Sequence, residues 1–117
     1  MSVNRLGEYL DQMIEATQQA CSYIDGMSKS EFLADKKTQQ AVILNMVILG
    51  ESATRLLKDH ADFLDKHPTI PWRNMKGMRN RIAHGYFDIN LEVVWETVKT
   101  ALPQLLEQLP VIRANIE

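Results

Sequence analysis

Apolar residues recur every three or four positions along most of this chain, and this spacing constrains the fold more than any other feature of the sequence. Such spacing lines one face of an α-helix with apolar side chains. No stretch shows the alternation of apolar and polar β-branched residues between turn dipeptides that is typical of a half-buried strand. The sequence therefore predicts an all-α fold.

Two helices are predicted at the start of the chain. The first covers Val3–Ile24 and stops near Gly26, since glycine often follows the end of a helix. Ser28 and Glu31 have the spacing of a capping box, in which the two residues exchange hydrogen bonds between side chain and backbone. They predict a short accessory helix that ends near Asp35.

Three longer helices are predicted after it. Asp35 can cap a third helix that runs to about His60, a fourth covers residues 72–85, and Asn90 begins a fifth, in which Pro103 predicts a kink. Short connections between long helices favour antiparallel packing. We therefore expect an up-and-down bundle of four main helices plus the accessory helix, with leftover apolar faces available for a two-fold homodimer.

The composition is that of an ordinary globular protein. The 117 residues, 45% hydrophobic and 24% charged, predict one domain over residues 1–117 and exclude disordered and collagen-like classes. The longest apolar run, Ala41–Leu49, suits a central bundle helix but is half of the roughly 20 residues that a membrane-spanning helix needs. The first residues lack the apolar stretch of a secretory signal, and the single cysteine, Cys21, excludes an internal disulfide framework. We therefore expect a cytoplasmic protein without a membrane partner.

The basic residues are concentrated in one segment, although the formal net charge is −2. Between Asp65 and Asp88 there is no acidic residue. A cluster of this kind is either a solvated face with salt-bridge partners or an anion site, for which phosphate is a natural ligand. The basic residues of the segment are Lys66, Arg73, Lys76, Arg79 and Arg81.

The end of the fourth helix holds the side chains best suited to chemistry. At about 100° per residue, Asn80 and His84 lie about 40° apart on the helix, and Arg79 lies about 140° from His84. The three residues therefore share one broad polar surface. Gly85 is expected to end the helix, which leaves His84 at the carboxyl end, where a protonated imidazole is favoured, and lets Tyr86 turn toward the same cleft.

These residue types suit the cleavage of a phosphodiester without a metal. Arginine grips a phosphate through two parallel hydrogen bonds, and histidine exchanges protons near neutral pH. Arg79 would hold the scissile phosphate and stabilise its developing charge, while His84 would act as general base or acid on the RNA 2′-hydroxyl or the leaving oxygen. The reaction ideally uses one base and one acid, so a two-fold dimer would supply the second histidine.

A purely structural interpretation accounts for the same residues. In that interpretation, His84 caps a helix end and Arg79 pairs with an acidic neighbour such as Glu51. Glu51 can either orient Arg79 or pair with Arg55, four residues later on its own helix. The pair with Arg55 is the simpler expectation.

A second group of polar residues has the types that bind metals, and its two histidines would share a helix face. Pro68 and Pro71 nearby indicate an irregular surface connection, and the group has no tight ligand motif. We therefore expect neither a metal nor another cofactor. The group consists of Asp59, His60, Asp62, Asp65 and His67.

The order Arg79, four residues, His84, one residue, Tyr86 resembles the signature of HEPN-domain ribonuclease toxins, specifically the HepT type that is paired with a minimal nucleotidyltransferase antitoxin. The similarity covers most of the chain, and no motif position departs from the family pattern. Further matching positions are Gly50-Glu51, Pro71-Trp72, Gly77-Met78, Asn80 and Val94-Trp95.

This resemblance implies an α-helical homodimer with a composite cleft at its interface, and metal-independent endoribonuclease activity against tRNA or mRNA. It makes Arg79 and His84 the catalytic residues, with Asn80 in support. It also implies that the antitoxin inactivates the toxin by transferring AMP from ATP onto Tyr86. The cations expected to bind the RNA are Arg73, Lys76 and Arg81.

Two other functions stay open on the sequence alone. The first is a non-catalytic nucleotide- or RNA-binding module that grips phosphate with Arg79 and His84. The second is a helical interaction scaffold for a nucleotidyltransferase, which would need neither side chain.

Overall fold

A computed structural model of the protein describes residues 5–116, and all of the regular secondary structure in this range is helical. The predicted all-α class is therefore confirmed, while the up-and-down topology and the homodimer remain predictions. In chain order, the helices are α1 (Leu6–Tyr23), α2 (Lys29–Ala34), α3 (Lys36–Asp59), α4 (Ala61–Asp65), α5 (Trp72–His84), α6 (Leu91–Glu96) and α7 (Leu102–Ala114). A 3-10 turn covers Tyr86–Asp88, and a π-helical turn covers Thr97–Ala101.

The predicted capping residues begin three of these helices. The Ser28 hydroxyl accepts a hydrogen bond from the Glu31 N–H at 3.1 Å, and the Ser28 N–H donates to the Glu31 carboxylate at 2.9 Å. The capping box of α2 is therefore confirmed. Asp35 caps α3 by accepting from the Thr38 N–H at 3.1 Å, and Asn90 accepts from the first N–H groups of α6.

The first helix ends where the sequence predicts. Ile24 caps its carboxyl end, and Gly26 adopts a φ of 78°, a left-handed conformation that glycine enters without steric cost. Its predicted start at Val3 lies outside the described residues.

Helix α3 is the centre of the core, because it packs against both α1 and α5, while α7 packs against α1. Its apolar segment buries Val42, Met46 and Leu49, each at most 2% exposed. Leu44 and Ile48 on the same segment are exposed, so α3 keeps one apolar side open to solvent rather than being covered all round.

The connection after α3 differs from the prediction. The prolines Pro68 and Pro71 indicated an irregular connection, but residues Ala61–Asp65 form the short helix α4 ahead of them. Leu64 is buried and anchors this helix to the core. Pro68 disfavours helix at its own position and at the residue before it, and both follow the end of α4 at Asp65, so a helical turn can form ahead of the proline.

The predicted irregularity near Pro103 takes the form of the π-helical turn over Thr97–Ala101. A proline lacks an N–H, and its ring clashes with the carbonyl four residues earlier, which here belongs to Lys99 inside that turn. Pro103 then lies in the first turn of α7, directly after the π-helical turn.

Candidate functional site

Helix α5 carries most of the candidate site residues, and its position is fixed by its buried face. Trp72, Met75 and Ile82 are between 5 and 7% exposed and anchor this face in the core. Gly85 caps the helix after His84, as predicted, and its N–H donates to the carbonyl of the preceding turn at 2.9 Å. The outward face of α5 is therefore held at a fixed orientation.

That outward face is cationic. Arg73, Lys76, Arg81 and His84 are exposed, and the helix contains no acidic residue. On a helical projection, Arg73, Asn80 and His84 lie within about 40° of one another. The cations predicted to bind RNA thus lie on or beside the face that carries Asn80 and His84.

Arg79 lies on the side of α5 that packs against α3, between Trp72 and Met75 on a helical projection, and 32% of its side chain is exposed. Its Nε is 3.0 Å from Glu51 Oε2, and its Nη1 donates a hydrogen bond to Asn80 Oδ1 at 2.8 Å. Glu51 also faces Arg55, with 3.7 Å between Oε1 and Nε. The expected pair of Glu51 with Arg55 is therefore present, but Glu51 also pairs with Arg79, which is its nearer partner.

The reason for this pairing is the close crossing of α3 and α5. A Cβ added to Gly50 would collide with the Arg79 Cβ and would lie 2.6 Å from the Met75 carbonyl oxygen. The absence of a side chain at position 50 lets the two helices approach, and the next residue, Glu51, reaches Arg79. Sequence spacing within α3 carries no signal of this tertiary contact.

His84 stands free at the carboxyl end of α5. Within residues 5–116, no hydrogen bond or ion pair engages its imidazole, so both ring nitrogens are open to an external group. Tyr86 opens the following 3-10 turn and is 45% exposed, with its ring edge-on to that of Phe87 at a centroid distance of 5.8 Å. Phe87 is 99% exposed.

A cleft of about 510 Å³ opens beside His84, between α5, α6 with the segment that leads to it, and α3. Its walls are mostly apolar, and its polar lining includes Arg81, His84 and Asp88. The other candidate site residues do not line it; these are Arg73, Lys76, Arg79, Asn80 and Tyr86. This cleft therefore places Arg81 with His84, while Arg79 lies outside it, in contact with Asn80 and Glu51.

The sequence matches the model of the HepT-like ribonuclease family over residues 13–112. This chain belongs to that family. A protein of Thermococcus cleftensis named a probable ribonuclease HepT is 39% identical over 98 residues, which is 84% of this chain and 86% of the relative. A candidate RNase of Methanocaldococcus jannaschii is 34% identical over 109 residues, 93% of this chain and 88% of the relative. No solved structure matches the chain.

Membership of the HepT-like family confirms the resemblance seen in the motif, and with it the enzyme class of endoribonuclease. The structure gives a physical role to two of the positions that match the family pattern. Gly50 sets the distance between α3 and α5, and Glu51 meets the motif arginine, Arg79.

The candidate metal-binding residues belong to the connection between α3 and α5. His60 caps α3, and the His67 ring lies against Phe63 with a centroid distance of 4.8 Å. The His67 carbonyl accepts a hydrogen bond from Trp72 Nε1 at 3.1 Å. Among residues 5–116, no group of three or more His, Cys, Asp or Glu side chains is arranged to hold a metal ion.

The same described range contains no helix that is both long and apolar enough to cross a lipid bilayer.

Proposed function

We propose that the protein is the toxin component of a toxin–antitoxin pair and that it cleaves RNA, either tRNA or mRNA, without a metal. Arg79 holds the scissile phosphate and stabilises the charge that develops on it, with Asn80 supporting the guanidinium. His84 moves the proton of the 2′-hydroxyl or of the leaving oxygen. The backbone on either side of the cut is bound by Arg73, Lys76 and Arg81.

One observation carries this proposal: an exposed histidine that has no partner among residues 5–116 ends a cationic helix face, five residues after an arginine held in place by two side chains. A histidine kept only for capping has no need of such an electrostatic setting. Arginine and lysine contacts to phosphate, together with a histidine that can transfer a proton, suit RNA cleavage without a metal.

The reaction site is proposed to form between two copies of the chain. A single chain offers one motif histidine, and its cleft contains His84 but not Arg79. A two-fold axis near α5 would bring a second cationic face to the first and supply both an acid and a base. Repulsion between the two faces would be relieved by the anionic substrate.

Inactivation is proposed to occur at Tyr86, through AMP transfer by a minimal nucleotidyltransferase antitoxin. The Tyr86 side chain is 45% exposed and lies two residues beyond His84, so an external enzyme can reach its hydroxyl. Attached AMP would add bulk and at least one negative charge beside a site that binds phosphate. RNA would then be excluded by volume and by charge.

Cleavage of purified tRNA and mRNA in the presence of a chelator tests the proposed activity. Arg79→Ala should lower the rate by roughly 10²- to 10³-fold, and His84→Ala by roughly 10²- to 10⁴-fold, with unchanged melting temperatures. Arg55→Ala and His60→Ala are matched controls that should retain activity. RNA that is bound but never cut by the wild type would instead favour the non-catalytic binding module.

A further inference from the structure

We infer that Glu51 is a positioning residue for the reaction: it holds the Arg79 guanidinium in a fixed orientation, and Gly50 makes this contact possible. The inference rests on the proposed function and deepens it, because a held arginine matters for the rate only if the protein cleaves RNA.

The first step is the steric requirement at Gly50. The atoms that a Cβ there would meet are the Arg79 Cβ and the Met75 carbonyl oxygen, at or next to the backbone of α5. A change of side-chain rotamer cannot relieve contacts of this kind, so the whole helix would have to move. Any residue larger than glycine at position 50 would therefore separate α5 from α3 and carry Arg79 away from Glu51.

The second step is the way the guanidinium is held. Glu51 faces Nε at 3.0 Å, and Asn80 accepts from Nη1 at 2.8 Å, so two different edges of the planar group are restrained. Among the described residues, no partner engages Nη2. An arginine has five N–H donors in a rigid fork, so this arrangement leaves donors free for a phosphate while fixing their direction.

The third step is that Glu51 is attracted more strongly to Arg79 than to Arg55. The distance to Arg55 is 3.7 Å, and the Arg55 side chain is 57% exposed. An exposed ion pair with this separation on one helix contributes little to the stability of the fold. Arg79 is closer and only 32% exposed, so its attraction to the carboxylate is less screened by water.

The fourth step is electrostatic. The Glu51 carboxylate places a negative charge beside the arginine proposed to bind phosphate, and that charge repels RNA. If Glu51 contributed only charge, its loss would help the enzyme. A positioning role predicts a different result, because an unrestrained guanidinium loses orientation in the transition state even where ground-state binding improves.

Steady-state kinetics on Glu51→Gln test the inference. Glutamine keeps the length of the side chain and removes the charge. We expect kcat to fall roughly 10- to 100-fold. KM for RNA, and the affinity for a 2′-deoxy analogue that cannot be cut, should stay unchanged or improve. Arg55→Ala is the matched control, since it removes the other partner of Glu51 and should keep kcat within about twofold.

A double variant shows whether Glu51 acts through Arg79. Adding Glu51→Gln to Arg79→Ala should cause no further loss of activity, because there is no guanidinium left to orient. An unchanged kcat in the single Glu51→Gln variant would overturn the inference, as would a loss of rate matched by an equal loss of RNA affinity or by a lower melting temperature.

The failure of the inference can be told apart from the failure of the proposed function. If the wild type leaves RNA intact, the proposed function fails. If the wild type cuts RNA and Glu51→Gln cuts it equally fast, only the positioning role fails. Should Glu51→Gln not fold, Glu51→Asp decides the question: the charge is kept but withdrawn by one methylene, and kcat should again fall without weaker binding.

Discussion

Gly50 on α3 and Arg79 on α5 pack so closely that a methyl group at position 50 would collide with the Arg79 Cβ. Gly77, in the interior of α5, is a useful contrast. A Cβ added there would meet only the flexible end of Arg81, at 3.4 Å. Neither glycine has a positive φ, so the packing alone distinguishes the two positions.

Substituting each glycine by alanine should therefore change stability in opposite directions. In Gly50→Ala, the gain in helix propensity of about 1 kcal/mol is outweighed by overpacking, which costs roughly 1–3 kcal/mol. Gly77→Ala should raise the free energy of unfolding by about 0.5–1 kcal/mol. Urea unfolding of both variants measures the difference, and a stabilised Gly50→Ala would mean that the two helices cross less closely than described.

The caps of α2 and α3 predict a loss of stability in acid. The hydrogen bond from the Ser28 N–H, with that from its hydroxyl, holds the pKa of Glu31 below its ordinary value of 4.5. The Thr38 N–H, followed by its hydroxyl, lowers the pKa of Asp35 below 3.8. Since both carboxyl groups have a lower pKa in the folded chain, their contribution to the free energy of unfolding is fully present at a pH above their pKa values in the unfolded chain. It is lost as the pH falls through their pKa values in the folded chain.

Urea unfolding as a function of pH isolates this effect when the wild type is compared with Glu31→Gln/Asp35→Asn. The wild type should lose more stability than the double variant as the pH drops below 4.5. Identical pH profiles would show that the two carboxylates titrate alike in the folded and unfolded chains.

Tyr86→Phe should keep most ribonuclease activity, since the phenol is not needed as acid or base, and should escape inactivation by the partner nucleotidyltransferase with ATP. Intact mass should increase by roughly one or more AMP units in the wild type and not in Tyr86→Phe. Tyr23→Phe is the control, because Tyr23 is similarly exposed at 42% but lies at the end of α1. An equal mass gain on Tyr86→Phe would place the modification elsewhere.

Light scattering at micromolar concentration should show the mass of a dimer. If each cleft needs His84 from both chains, equal co-expression of wild type and His84→Ala should leave about a quarter of the activity rather than half, since only wild-type homodimers retain two histidines. A monomer, or an activity that falls in simple proportion to the wild-type fraction, would contradict a shared site.

The sequence predicts those parts of the fold that depend on neighbouring residues. The capping box of Ser28 and Glu31 and the helix end at Gly85 are local, so residue types and spacing suffice to locate them. The short helix α4 was missed because prolines later in the segment suggested an irregular connection, whereas the burial of Leu64 stabilises a helical turn there.

The candidate site was predictable only in its residue types. The spacing from Arg79 to His84 places both residues on one helix, but the partner of Glu51 depends on how α3 crosses α5, a tertiary relationship set by Gly50. The cleft beside His84 likewise depends on how the segment around Asp88 folds back, for which the sequence has no local signal.

Cleavage of an all-ribose RNA beside its 2′-deoxy counterpart of the same sequence, in chelator, tests the central claim most directly. If His84 and Arg79 promote attack by the 2′-hydroxyl, the wild type should cut only the ribose strand and leave a 2′,3′-cyclic phosphate, and His84→Ala should cut neither strand at a comparable rate. Equal cleavage of the two strands, or cleavage by His84→Ala at the wild-type rate, would contradict the mechanism.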